Sequence, residues 1–466
     1  MTNQTLHNIR AVLFLLPFFF YEEGMLAAIM STAALVIIFS EKMVRYFKQL
    51  DWREYMFFLY MFHMLFGERQ FAYLGIEPLF VTELFLGGLI FAYARDLLQV
   101  RRILFIYYLI VLIGVGFALV YFFQFKLDAV RDSFMLLYAL WVPVIYHVFR
   151  EKNHYDLFFA LLKIFIVLKA IAYCYEAVMI LQGNRAITFE GFRFGVGYIM
   201  PSMIVLSIFL PFRHINWKYK LIALFMVPAV FTVFHRSIFL GLILGVLVIF
   251  IIGGGTSRKN ILLYGTTSLS VLIGFLIYYN TIIEVDIFRI LELKSSLDEG
   301  NINYRVLSWQ HVLDKFYENF LIGYGVGRPV MFAYQNVFYS TVELTYFEIR
   351  DLAGNAQPHN SYLNILTRFG VLVFPLFLFA IFQPLFRIRH FALKKKSTSS
   401  HDYSKYLLLL SFLMLMYVLA FFNVVLEGPH HSFPFWLVIG MLLSFERAGN
   451  LSPKILQIKK TELIYK

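Results

Sequence analysis

Apolar residues run along this chain in long blocks, each closed by a short polar or charged interruption, and this pattern recurs almost from end to end. Blocks of this kind cross a hydrocarbon core of ~30 Å when about 20 residues are helical. Hydropathy predicts spans at about 10–21, 24–40, 54–66, 78–95, 103–123, 132–149, 155–181, 194–212, 218–234, 237–253, 260–280, 361–386, 405–423 and 433–446. The first three are short, and apolar runs of ~10–14 residues are ambiguous between a span and a re-entrant pair. The expectation is therefore an all-α, polytopic transmembrane helical bundle of about 12–14 spans with one large extracytoplasmic loop. It divides into an N-terminal bundle over 1–280, the loop over 281–360, C-terminal spans over 361–446 and a tail over 447–466.

Composition agrees with the pattern. The chain has 466 residues, 60% of them hydrophobic and 15% charged, against roughly 45–50% apolar in soluble domains. No short, solitary N-terminal apolar run stands out as a cleavable signal peptide. Cys174 is the lone cysteine, which excludes an intramolecular disulfide.

The +12 formal charge matters through its placement. Alternate turns carry Lys42, Arg45, Lys48 and Arg53; Arg95, Arg101 and Arg102; Arg150 and Lys152; Arg213, Lys218 and Lys220; Arg258 and Lys259; and Arg387 to Lys405. The turns between them hold few cations. Because cytoplasmic loops retain excess Lys and Arg, both termini are expected in the cytoplasm of a multi-pass bacterial inner-membrane protein, with the 281–360 loop outside. That loop contains an amphipathic helix, "YRVLSWQHVLDKFYENF", in which Val306, Trp309, Val312, Leu313 and Phe316 fall at helical spacing.

Against this apolar background, "PHNSYLNILTRFG" opens a span with polar groups. On a helix, Asn360, Asn364 and Arg368 form one stripe, with Arg368 roughly 12 Å below Asn360. A buried arginine faces a bundle interior or wet cavity far more readily than lipid. His359, at the positive end of the helix dipole, favours the neutral ring that a general base requires; the plainer reading is that His359 and Asn360 cap the helix. Arg236 starts a span in "HRS", where snorkelling to the interface is the ordinary explanation. Arg305 and Arg193 lie on the outer side, where solvated arginines are common. Together these cations suit an anion, because arginine binds phosphate oxygens bidentately. "EGPHHSFPFW" offers Glu427 and His430 at the last outer turn as substrate contacts, with no metal expected from so weak a ligand pattern. "GYGVG" lacks the lysine and serine or threonine of a phosphate loop and reads as a turn. Trp309 is a plausible sugar platform. Lys163 and Lys169, inside a predicted span, call for internal partners.

The combination "HRS", "NYRVLSWQHVLDKFYENFLIGYGVG" and "HNSYLNILTRFGVLVF" resembles the O-antigen ligase and O-antigen polymerase superfamily of bacterial envelope glycosyltransferases, over about Thr232 to Glu446. The resemblance implies an enzyme of lipopolysaccharide and polysaccharide biosynthesis. Its donor would be a saccharide on polyprenyl (undecaprenyl) diphosphate, and its acceptor a saccharide or lipid A-core. Arg236 and Arg305 would engage the diphosphate, and His359 would activate the acceptor hydroxyl. The reaction expected is metal-independent, without cofactor or nucleic acid. A flippase for lipid-linked saccharides, or another polytopic transporter, is the competing expectation, although the chain shows no repeat-related halves and a transporter has no need of the large outer loop.

Overall fold

The computed structural model describes residues 46–67, 69–76, 79–99, 101–181, 199–212, 215–224, 226–232, 236–282, 300–328, 330, 358–388 and 400–449. It is a helical bundle. The longer helices are α1 (Trp52–Gly67), α2 (Val81–Ala92), α3 (Phe105–Phe125), α4 (Leu127–Leu137), α5 (Trp141–Val148), α6 (Lys152–Leu181), α7 (Ile199–Ile208), α8 (Arg236–Ile252), α9 (Gly255–Ile282), α10 (Gly300–Glu318), α11 (Ser361–Phe386), α12 (Ser400–Phe422) and α13 (Pro429–Gly449). Strand pairing among the described residues is confined to Gly75–Ile76 with Leu79–Phe80, an antiparallel hairpin that leads into α2.

Among the described residues, five stretches are long and apolar enough to cross a membrane: Arg102–Phe125, Leu127–Val148, Lys152–Cys174, Ser361–Phe386 and Asp402–Phe422. The spans expected at 10–21 and 24–40 lie outside the described residues. The span expected at 132–149 starts earlier, at Leu127, because the chain reverses at Lys126 with φ 49° directly after α3. The 218–234 span falls on two shorter helices, Trp217–Leu224 and Met226–Thr232.

Burial separates the centre of the bundle from its lipid face. All eight residues of α5 are buried, and α13 packs along it with Trp436 and Phe433 enclosed. On α3, by contrast, Leu112, Val115, Leu119 and Phe123 recur three to four residues apart and are exposed. An apolar stripe of that spacing belongs against acyl chains. Gly241 and Gly245 let α8 lie close against Leu415 and Ser411 of α12 and Leu206 of α7, small residues serving as contact points between membrane helices.

Cations inside the bundle have partners. Lys169 is fully buried and donates to the Phe66 carbonyl at 2.8 Å, with its ammonium also over the Phe66 ring. Lys163 lies over the Tyr219 ring. Both answer the need for internal company that their depth imposes.

α11 departs from the continuous helix expected over 361–386. It breaks at Gly370, where φ is 72° and ψ 178°. The freed groups pair with the segment after α10. Tyr324 N–H donates to Thr367 O at 2.7 Å and Gly325 N–H to Arg368 O at 3.0 Å, while Val371 and Leu372 N–H donate to Phe320 and Leu321 O at 2.9 and 3.2 Å. Backbone groups freed at membrane depth need such partners. A Cβ on Gly370 would lie 2.3 Å from Leu321 O, and one on Gly323 2.4 Å from Arg368 O. The "GYGVG" turn is thus a backbone clasp on the break in α11.

Candidate functional site

The start of α11 is built on Asn360, whose Oδ1 accepts the Leu363 N–H at 3.0 Å and caps the helix. His359, just outside it, holds φ 48°, a region that few side chains other than glycine occupy cheaply. The neighbouring helix α10 secures this turn, since Trp309 Nε1–H donates to Pro358 O at 2.7 Å. One helical turn before Trp309, Arg305 donates to Phe422 O at 3.2 Å. The His359 ring is half-buried, and its pKa is lowered, first by burial and then by the Arg305 guanidinium. The ring is therefore held neutral.

Ser361 ties this turn to the loop between α12 and α13. Its Oγ accepts the N–H groups of Val425 and Leu426 at 2.9 and 3.2 Å and donates towards Glu427 Oε2 at 2.5 Å, with Asn423 O at 3.2 Å. Asn423 Nδ2 in turn donates to Ser237 Oγ at 2.7 Å, next to Arg236 at the exposed start of α8. Three segments distant in sequence therefore meet at Phe422–Asn423: α8 beside Arg236, α10 through Arg305, and the His359 turn through Ser361.

The polar stripe on α11 is buried and internally bonded. Arg368 Nε donates to Asn364 Oδ1 at 3.0 Å. Since arginine only donates, the Asn364 amide is oriented with Nδ2 outward, and it donates to Glu427 Oε1 at 3.1 Å. The other side of Arg368 forms an ion pair with Asp132 of α4 and donates to Arg328 O at 3.2 Å, while Gly327 N–H donates to Asp132 at 2.7 Å. Burial raises the Glu427 pKa, and the bonds from Ser361 and Asn364 oppose that shift. Arg368 and Asn364 are thus committed to the protein's own groups, and Asn360 to the helix cap.

Of the residues singled out in the sequence, the structure gathers His359, Asn360, Arg305 and Trp309 at one corner and joins Arg236 and Glu427 to it through Asn423 and Ser361. His430 packs against His431, with ring centroids 3.7 Å apart, and against Tyr73 at 5.4 Å. Arg193 lies outside the described residues. Sequence reasoning passed over Ser361 and Asp132. The signal for Asp132 was available, because a buried arginine implies a carboxylate partner; Ser361 stood in plain view beside His359 but carries no charge. Among the described residues, no three of His, Cys, Asp and Glu gather as metal ligands would.

A polytopic helical membrane protein with arginines and a neutral histidine at one end of its bundle is what these elements define. Residues 199–378 match the family model described as O-Antigen ligase, which supports the O-antigen ligase and polymerase superfamily for this chain. The matched stretch contains Arg236, Arg305, Trp309 and the whole α11 polar stripe, and ends before Asn423 and Glu427. No curated protein matches the chain.

Proposed function

We propose that this protein transfers or polymerises saccharide units from a polyprenyl-diphosphate-linked donor onto a saccharide or lipid A-core acceptor, at the outer face of the bacterial cytoplasmic membrane. The reading is supported chiefly by the meeting around Phe422–Asn423 of the three segments that carry Arg236, Arg305 and His359. It also draws on the alternating Lys and Arg bias, which favours a topology with both termini inside and the 281–360 loop outside.

His359 takes the proton from the acceptor hydroxyl while that oxygen attacks the anomeric carbon of the donor sugar. The bond from that carbon to the diphosphate oxygen breaks, and its electron pair leaves with the diphosphate. Arg305 and Arg236 stabilise the charge that grows there. A single in-line displacement of this kind inverts the anomeric centre. Trp309 and Asn360 set the backbone from which His359 projects, and the α11 stripe with Glu427 keeps that backbone fixed. Removing one preorganised group that meets developing charge typically costs ~10²–10³ in rate.

The test is transfer by the purified protein in lipid, with a polyprenyl-diphosphate saccharide as donor. Wild type should consume donor and extend the acceptor, and His359→Ala should be folded, bind donor and fail to transfer. Full activity of His359→Ala would remove the base from this scheme. Deleting the gene identifies the acceptor: surface lipids capped with single repeat units mark a polymerase, and long glycans stranded on the carrier mark a ligase.

A further inference from the structure

The clasp at Gly370 fixes how deep the chain between α10 and α11 lies. From Val371 to Phe386, α11 has sixteen residues, after which Arg387 begins the basic inner side. Sixteen residues of helix rise about 24 Å, short of the ~30 Å hydrocarbon core. Tilt only widens that gap. Gly370 therefore sits inside the outer leaflet by about 6 Å or more. Phe320 and Leu321, bonded through their carbonyls to Val371 and Leu372, sit there with it.

The side chains at this level agree. Phe320, Leu321, Ile322 and Leu372 are all exposed, at 49% to 61%. Phe320, Leu321 and Ile322 belong to a loop that sequence alone places outside the membrane, yet their bare apolar surface is suited to hydrocarbon.

A cation stands a few residues on. The Arg328 guanidinium lies 5.3–5.6 Å from the ring centroids of Tyr324, Tyr121 and Phe125. The cage positions it, but aromatic faces satisfy none of its N–H donors. Among the described residues, no carboxylate pairs with Arg328 and no acceptor takes its hydrogen bonds. Lys315, also over the Tyr324 ring, pairs with Glu318 at 2.6 Å. A half-buried guanidinium with no acid beside it among the described residues, next to exposed apolar residues at the membrane boundary, is complementary to a lipid phosphate.

We propose that Arg328 and the Phe320–Ile322 tip form a second lipid-phosphate site, which holds the phosphate-bearing anchor of the acceptor. Assignment to the acceptor rests on the transfer reaction proposed above. The Arg328 carbonyl is bonded to Arg368, seven helical residues from Ser361 and thus on the order of 10 Å from the His359 turn. Reacting atoms must approach to ~3–3.5 Å, so a phosphate here is not the one whose bond to sugar breaks. It is the anchor of the other lipid-linked substrate, whose saccharide spans the interval to His359.

Native mass spectrometry of the full chain counts the sites, with polyprenyl monophosphate as the probe. In a His359→Ala background, which halts turnover, the protein should retain two probe molecules; adding Arg328→Gln should leave one, the second weakened about tenfold or more. Arg328→Lys should keep both, and Leu321→Asn, which leaves the cage intact, should also weaken the second. Inorganic phosphate at the same concentration should displace neither. Equal occupancy with and without Arg328→Gln overturns the second site and leaves the transfer reaction standing. No bound probe in any variant overturns both.

Discussion

Asn423 Nδ2 donates to Ser237 Oγ at 2.7 Å, joining the end of α12 to the start of α8 across 186 positions of sequence. Through it, Arg236 is set in register with the loop that also holds Arg305 and Ser361. Asn423→Leu keeps the volume and deletes the bond. Displacements of about 1 Å can cost ~10²-fold in rate, so transfer should fall by one to two orders of magnitude while the protein still purifies as a folded monodisperse species. Initial rates in proteoliposomes check this, and wild-type rates would show that Arg236 needs no such register.

The pH profile reads His359. Its pKa is depressed by burial and then by Arg305, so the ring is neutral, and competent as a base, down to below the ordinary histidine value of ~6.5. Activity should be lost only as pH falls through that lowered pKa. Arg305→Gln removes the second cause and leaves the first. The acid limb of kcat/KM should therefore move to higher pH, while the maximum also drops. A limb that stays in place in Arg305→Gln contradicts the electrostatic contact between the two.

Arg368 and Asp132 test whether the α11 stripe is structural. Breaking a buried ion pair by removing one partner typically costs ~3–5 kcal/mol, because a charge is left uncompensated. Arg368→Met should lower the thermal midpoint in detergent sharply. Adding Asp132→Leu should recover much of that loss. Additive losses in the double variant would mean that the two side chains do not stabilise one another.

Gly370→Ala meets two obstacles: a positive φ and a Cβ 2.3 Å from Leu321 O. The strained backbone alone costs ~1–3 kcal/mol. The clasp with Phe320–Gly325 should open, and protease cleavage near Ile322 should accelerate relative to wild type. An unaltered digestion pattern would show that the break in α11 is not held by the clasp.

Much of this architecture was legible in the sequence because hydrophobic length and cation placement are local signals. The boundaries of α3, α11 and α12 follow from them closely, and the i, i+4, i+8 stripe of Asn360, Asn364 and Arg368 is buried as its period requires. The break at Gly370 was not legible. Hydropathy and helical spacing run on across it without a marked stop, and only the approach of Leu321 and Gly323 reveals why glycine is needed there. Nor could spacing show that Ser361 joins α11 to Glu427 and Asn423, because that contact is created by the packing of α11 against α12 and α13. The sequence pointed to Arg368 as a cavity cation; the structure pairs it with Asp132, a partner more than two hundred positions away.

An experimental structure with a non-reacting polyprenyl-diphosphate saccharide bound addresses the whole account at once. The diphosphate should lie between Arg236 and Arg305, with the anomeric carbon facing His359 across a gap that admits one acceptor hydroxyl. A diphosphate seated away from both arginines, or a His359 ring turned to the acyl chains, would contradict it.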